Sequence, residues 1–104
     1  MHKYDHIGII IDKPKEGMRY FPEFQCWASD CEKSEFRIEW ICFDDDCKLH
    51  PLIQTVSHVG FIVKDIKEAV KGKKILLEPC LFEGVWMAFI EDDGAPIEFS
   101  QPAS

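Results

Sequence analysis

Two histidines and two glutamates recur in this sequence with matching neighbours. His6 stands in DHIGIIID and His58 in SHVGFIVKD, so an aliphatic residue and a glycine follow each histidine. Glu39 lies in the triplet Ile-Glu-Trp and Glu98 in Ile-Glu-Phe, each downstream of one of the histidines. Imidazole and carboxylate groups are ligands for Zn, Fe, Mn, Co and Ni. The doubled set therefore predicts a divalent-metal site made of His6, Glu39, His58 and Glu98.

A metal in such a site would favour proton transfer next to a carbonyl group. The metal can polarise the carbonyl oxygen and stabilise an enolate, and a carboxylate ligand can leave the metal and carry a proton. One or two positions on the metal would stay open for water or substrate.

Each histidine is predicted to open a β-strand. Side chains alternate across a strand, so His6 shares a face with Gly8, and His58 shares one with Gly60. The opposite face of both strands is entirely apolar and needs a core. The missing side chain of each glycine would leave room for a ligand to approach the backbone. The alternative is a half-buried strand in which the histidine occurs by chance. In both strands the histidine lies on the same face as the glycine, and this repetition argues against chance.

The remaining elements suggest that one unit occurs twice. From residue 57 onwards the pattern is strand, helix and three strands, with Asp65 as the helix N-cap, Gly72 at its end and Asp92-Asp93-Gly94 as a hairpin turn. The first half reads as the same unit with its helix shortened to a loop over 12–18. Strands are expected at 4–11, 23–29, 36–43, 57–64, 75–77, 84–91 and 95–100. We predict one α+β domain with module one at 1–47, a linker at 48–56 and module two at 57–104.

Composition limits the classes of function. A chain of 104 residues with 46% apolar residues can form one domain with a sizeable core. A net charge of −7 argues against nucleic-acid binding. No apolar run is long enough to span a membrane, and the N-terminus lacks the hydrophobic region of a signal peptide. We therefore expect a cytoplasmic protein that acts on a small molecule.

The five cysteines allow a second kind of metal site. Cys26 and Cys31 form one spaced pair, and Cys42 and Cys47 form another, which could suggest a four-cysteine zinc site. The residues between them lack the glycines of tight metal-binding turns, and Cys26 and Cys42 fall inside predicted strands. We expect free cysteines. His50, next to Pro51, is expected to be a linker residue and not a ligand.

The motifs HIGIIID, IEW, HVGFIVKDI and MAFIEDDGAPIEF resemble the vicinal oxygen chelate superfamily, which includes glyoxalase I, methylmalonyl-CoA epimerase, extradiol dioxygenases and the bleomycin resistance proteins. The resemblance covers most of the chain and implies two βαβββ modules whose sheets form an incomplete barrel around a metal. It implies the ligands His6, Glu39, His58 and Glu98, and often a homodimer. The sequence departs from the family in its short first module. It also lacks a clear arginine pair for glutathione or CoA, since Arg19 and Arg37 are its only arginines.

Three functions follow as expectations. The first is a metal-dependent lyase or isomerase acting on a compact oxygen-rich substrate, with Glu98 as the first candidate for the base and Glu39 as the second. The second is a metal-free protein that sequesters a flat ligand in a cleft lined by phenylalanines and the tryptophans Trp27, Trp40 and Trp86. The third is a structural or partner-binding protein in which both histidines belong to the core.

Overall fold

Eight strands form a single mixed sheet in the computed structural model, which describes residues 2–102. The strands are β1 (Lys3–Ile10), β2 (Arg19–Phe21), β3 (Cys26–Ala28), β4 (Ile38–Phe43), β5 (His58–Ile62), β6 (Lys74–Phe82), β7 (Val85–Asp92) and β8 (Ala95–Pro102). The helices are α1 (Pro51–Thr55) and α2 (Ile66–Val70), and a 3-10 turn spans Cys31–Lys33. None of the helices within residues 2–102 is long and apolar enough to cross a membrane.

The strand order shows the internal symmetry. It runs β2-β3-β4-β1-β5-β8-β7-β6, with β1 and β5 antiparallel at the centre. On its other side β1 pairs in parallel with β4, and β5 pairs in parallel with β8. We call β1–β4 module one and β5–β8 with α2 module two. The predicted fold class, an α+β chain with an incomplete barrel-like sheet, is confirmed.

The pairing register brings both motifs to the centre of the sheet. Gly8 lies opposite Glu39 in β4 and opposite His58 in β5. In the same way, Gly60 lies opposite Glu98 in β8 and opposite His6 in β1. Residues directly opposite each other in neighbouring strands project on the same face. The two histidines and two glutamates therefore share one face of the sheet, its inner face.

The sheet curls until its two edge strands meet. Phe21 on β2 and Phe24 just after it contact Phe82 at the end of β6, with ring centroids 5.8 and 4.9 Å apart. Arg19 of β2 forms an ion pair with Glu83, which follows β6, and its Nη1 lies 3.0 Å from Glu83 Oε1. Apolar contacts and one ion pair thus bridge the edges of the half-barrel.

The two modules cover their outer faces differently. In module two, Ile66 and Val70 of α2 pack against the buried residues Ala88, Ile90 and Phe99. Module one has no helix between β1 and β2, where residues 11–18 contain no helix or strand. The prediction that its helix is reduced to a loop therefore holds.

Several predicted bounds were wrong for local physical reasons. The linker contains α1, because Pro51 suits the first helical turn and His50 Nδ1 accepts a hydrogen bond from Leu52 N. β6 continues through Pro79 to Phe82, with an irregular register between Leu77 and Cys80, because an edge strand tolerates proline. β4 begins at Ile38 and not at residue 36, because Arg37 has a φ of 55°.

The predicted cap at Asp65 and the hairpin turn at Asp93-Gly94 are both present.

Candidate metal centre

Four side chains converge on the inner face of the sheet. His6 Nε2, His58 Nε2 and Glu98 Oε1 form a triangle with sides of 3.0 to 3.1 Å. Glu39 Oε1 lies 3.5 Å from His6 Nε2 and 3.8 Å from His58 Nε2. One ligand atom from each of the four residues lies within 4.8 Å of all the others. The structure therefore brings together all four residues that the sequence predicted.

The glycine of each repeated motif makes this convergence possible. A Cβ atom on Gly8 would overlap the ring of His58, and one on Gly60 would overlap the ring of His6. Each module thus leaves space above its own glycine for the imidazole of the other module. The expected gap for a ligand is therefore filled by protein, and the correction explains why histidine and glycine recur together in both strands.

The donor set suits a divalent cation. Ligands that bind zinc at about 2.0–2.2 Å lie roughly 3.0–3.5 Å from one another, and most of the distances between these donor atoms fall in that range. Since metal ligands must be deprotonated, both imidazoles and both carboxylates would offer lone pairs to one point. Without a cation or a proton these acceptors would repel one another. The residues present therefore fit a bound metal ion.

Neighbouring charges shift the pKa values of these groups in the metal-free chain. Burial alone would lower the pKa of His6, but the hydrogen bond to Glu98 and the charges of Glu98 and Glu39 raise it to about 9. Burial, together with the charge of Glu98, raises the pKa of Glu39. Burial would also raise the pKa of Glu98, but hydrogen bonds with His58 and His6 lower it. At neutral pH a proton on His6 thus balances part of the negative charge.

A carboxylate behind His6 orients its ring. His6 Nδ1 donates to Asp5 Oδ2 at 2.7 Å, which leaves Nε2 to face the centre. Asp5 can reach this position because the β1–β5 register shifts between Tyr4 and His6, which makes Asp5 an extra residue in the strand. Arg37 holds Asp5 in turn, through Nη2 to Oδ1 at 2.9 Å and through Nε to the Asp5 carbonyl oxygen.

Within residues 2–102, no such carboxylate lies behind His58. Its Nδ1 is buried and has no hydrogen-bond partner among residues 2–102. Ser57, which stands where Asp5 stands in module one, accepts a hydrogen bond from Ile10 N. The ring of His58 packs instead edge-on against Phe89, with centroids 5.0 Å apart. Packing therefore holds this ring, whereas hydrogen bonds hold His6.

A cavity of ≈ 190 Å³ opens onto the centre. Glu39, His58 and Glu98 form part of its wall, and His6 Nε2 lies within 3.5 Å of each of them. Most of the other lining side chains are apolar, and they include Phe21, Phe24, Phe43, Phe82 and Phe89. The expectation that tryptophans line the cleft was wrong. Trp27 and Trp40 alternate with the cavity residues Cys26, Ala28, Glu39 and Ile41 along β3 and β4, and so project from the other face of the sheet.

Other candidate ligands take structural roles. All five cysteines are free, and within residues 2–102 no group of them could hold a metal. A second possible group, Asp5, His6 and Cys31, shares His6 with the centre. His50 caps α1 as a linker residue.

Sequence reasoning missed the support behind His6. Asp5 directly precedes His6, whereas a serine precedes His58, and this difference was the available signal. Strict alternation would point Asp5 away from His6, so the contact depends on the register shift, which the sequence pattern does not reveal. Arg37 adopts a positive φ just before β4, a conformation that its residue type does not indicate.

Comparison with known proteins shows the fold alone. A scan against protein-family models finds no matching family, and a search of curated proteins finds no match. Among solved structures, the crystal structure of hypothetical protein BH1468 from Bacillus halodurans C-125 matches with a TM-score of 0.73. The two chains are 22% identical, and the match covers 99% of this chain and 96% of that one. The fold described above is therefore one that is known from experiment.

Proposed function

We propose that the protein is a metal-dependent enzyme of the glyoxalase-like type, with lyase or isomerase chemistry on a compact oxygen-rich substrate. The observation that carries this proposal is the triangle of His6 Nε2, His58 Nε2 and Glu98 Oε1, with sides of 3.0 to 3.1 Å, beside a largely apolar cavity. The resemblance of the motifs to the vicinal oxygen chelate superfamily agrees with it. A divalent ion, Zn, Ni, Co, Mn or Fe, held by His6, Glu39, His58 and Glu98 would polarise a carbonyl oxygen and stabilise negative charge there.

The chain's own carboxylates would move the proton, and geometry favours Glu39 for this role. Glu98 is held by both imidazoles at 3.0 to 3.1 Å, and its side chain is 12% exposed. Glu39 makes longer contacts of 3.5 and 3.8 Å, and its side chain is 27% exposed. The less tightly held carboxylate can turn towards a substrate carbon with less disturbance of the centre. We therefore place Glu39 first and Glu98 second, the reverse of the order inferred from the sequence.

The apolar walls would assist this chemistry. Phe43 and Phe89 line the same cavity as the two carboxylates, so a bound substrate would displace water from the centre. Charge interactions are stronger where water is excluded, because the local dielectric constant is lower.

We place the reaction in the cytoplasm and in a homodimer, and a monomeric mass by light scattering at micromolar concentration would contradict the dimer.

Hydrogen exchange in deuterated water tests the proposed chemistry. Small α-hydroxy ketones are incubated with metal-loaded protein, and loss of the carbon-bound proton signal is followed by NMR. We expect exchange that EDTA abolishes and that falls at least 100-fold in Glu39→Gln. Glu35→Gln, an exposed acid before the same strand, is the matched control and should exchange normally. Exchange that persists in EDTA, or that is absent at saturating metal, would contradict the proposal.

Metal-free sequestration of a small molecule is the second candidate, favoured by the phenylalanines that line the cavity. It predicts that an apolar ligand binds equally well in EDTA and in the His6→Ala variant. Metal-dependent binding would exclude it.

A further inference from the structure

We propose that the contact between the two sheet edges is a gate, which opens the cavity when Phe82 and Glu83 separate from Arg19, Phe21 and Phe24. We call these five residues the seam. The gate does not depend on the metal chemistry proposed above, because it concerns access to the cavity and not the reaction inside it. Three observations support it: the seam has few contacts, the segments that carry it are free on one side, and a buried thiol lies behind it.

Side chains alone close the seam. β2 and β6 stand at opposite ends of the strand order, so within residues 2–102 no backbone hydrogen-bond ladder joins them. The ring of Phe82 contacts those of Phe21 and Phe24, with centroids 5.8 and 4.9 Å apart. The ion pair between Arg19 and Glu83 has side chains that are 62% and 48% exposed, and exposed pairs contribute little to stability. The seam can therefore open while every strand pairing of the sheet stays intact.

Both segments at the seam are attached to the sheet on one side. β2 has three residues and pairs with β3, and Phe24 lies in the turn between these strands. On the other side Phe82 ends β6, which pairs with β7, and Glu83 and Gly84 form the hairpin turn with φ values of 50° and 79°. Edge segments with few buried contacts open locally at a lower free energy than the centre of a sheet. We therefore expect the two segments to move apart while β1 and β5 stay paired.

Arg19 links the polar and the aromatic contacts of the seam. Its guanidinium carbon lies 4.4 Å from the centroid of the Phe21 ring, and its nitrogens pair with Glu83. A positive charge at position 83 would repel Arg19 and so loosen the contacts on both sides of the Phe21 ring. The ion pair is therefore the part of the seam that a surface substitution can open.

Cys26 lies directly behind the seam. It stands opposite Phe21 in the pairing of β2 with β3, so both side chains project on the inner face. Cys26 lines the cavity together with Phe21, Phe24 and Phe82, yet it is only 7% exposed. The cavity is partly open to solvent, so the seam controls its Cys26 end and not the whole of it. Separation of the seam would widen this end and admit a small molecule between the two sheet edges.

Labelling of Cys26 tests the gate, because the rate reports how often the seam opens. The full chain is treated with N-ethylmaleimide, and modification of each cysteine is followed by mass spectrometry of its peptides. Glu83→Arg should raise the rate at Cys26 at least about tenfold, because local opening becomes more frequent. The rate at Cys31, which does not line the cavity, should stay within about threefold and serves as the internal reference.

Charge-swapped and control variants locate the effect. Arg19→Glu combined with Glu83→Arg restores an ion pair of reversed sign, and should return labelling of Cys26 to within about threefold of the unaltered protein. Glu78→Arg makes the same charge reversal at an exposed position of β6 outside the seam, and should leave labelling unchanged. Phe82→Ala removes the aromatic contact and should accelerate labelling as Glu83→Arg does.

Two results would overturn the gate and leave the proposed metal chemistry standing. The first is equal labelling of Cys26 in the unaltered protein, Glu83→Arg and Phe82→Ala. The second is amide hydrogen exchange in β1 and β5 that accelerates as much as the labelling, because Cys26 would then be reached by unfolding of the whole chain. Faster labelling with unchanged exchange in β1 and β5 is the result that the gate predicts.

Discussion

Module one and module two each supply one histidine and one glutamate, but they hold the histidine in different ways. His6 is fixed by a chain of hydrogen bonds through Asp5 to Arg37. His58 has no partner for its Nδ1 within residues 2–102 and is held by packing against Phe89. The four converging side chains thus obey the internal twofold symmetry, whereas the contacts that hold the two histidines do not.

The position of each imidazole ring and the hydrogen bonding of its Nδ1 therefore have different structural origins. The strand register and the two glycines place both imidazoles equally well. Within residues 2–102, an acceptor binds the Nδ1 proton in module one alone, so Nε2 is the atom of His6 that would face a metal once its own proton has left. In the proposed metal site the ring of His6 would therefore be oriented in advance, whereas His58 would adopt the required tautomer on binding.

Alanine at the two glycines should have the largest effect. In Gly60→Ala the new methyl group would push the His6 ring from its hydrogen bond with Asp5, and in Gly8→Ala it would push His58. We expect each to cost about 1–3 kcal/mol of stability, as overpacking does. Removing the hydrogen-bond partner of a metal ligand lowers metal affinity by up to roughly 100-fold. We expect each glycine variant to lower it further, because the ligand itself is displaced.

The two glycine variants should differ in how much metal affinity they lose. Gly60→Ala should lower affinity more than Gly8→Ala, because only His6 is tied to a hydrogen-bonded partner. Calorimetric titration with zinc and melting curves measure both effects. Equal losses would mean that the anchoring of His6 contributes nothing.

Metal affinity should also depend on pH through His6. Its pKa is raised to about 9, so below that pH a proton must leave before a metal binds. Protons compete with the metal, so affinity should rise by about tenfold per pH unit between pH 7.5 and 8.5. The rise should be steeper below pH 7, because the pKa of Glu39 is raised to about 7 and this carboxylate then binds a second proton. Competition with a coloured chelator measures it, and a flat profile would show that His6 is not a ligand.

Removal of the Asp5 carboxylate should have a smaller effect. Asp5→Asn keeps the shape but replaces the charged acceptor at His6 Nδ1. We expect roughly a 10- to 100-fold loss in metal affinity. Ser57→Ala at the equivalent position and Asp12→Asn on the exposed loop should change affinity by less than about threefold, since neither contacts an imidazole. Similar losses in Asp5→Asn and Ser57→Ala would remove the distinction between the modules.

Arg37 should give the smallest effect. Arg37→Lys loses the two-point contact with Asp5, so affinity should fall by about three- to tenfold. Because Arg37 acts through Asp5, adding this change to Asp5→Asn should cause little further loss. Additive losses in the same titration would indicate that Arg37 acts by another route.

The repeated motifs predicted the sheet and all four converging residues because local rules determine both. Alternation along β1 and β5 put the histidines and glycines on one face, and the repeat supplied the pairing. The contacts that hold the His6 ring could not be predicted from strand alternation or from the repeat. The contact of Asp5 depends on a one-residue register shift, and that of Arg37 on a positive φ, and neither follows from residue type. The continuation of β6 through Pro79 depends on its being an edge strand, which is a tertiary property.

Anomalous scattering from crystals grown with zinc would show directly whether the four residues bind a metal. We expect one strong peak per chain at the point where His6 Nε2, His58 Nε2 and Glu98 Oε1 converge, and no peak there when both histidines are replaced by alanine. Absence of a peak at saturating zinc would show that these residues do not form a metal site, and a peak between Asp5, His6 and Cys31 would place the site elsewhere.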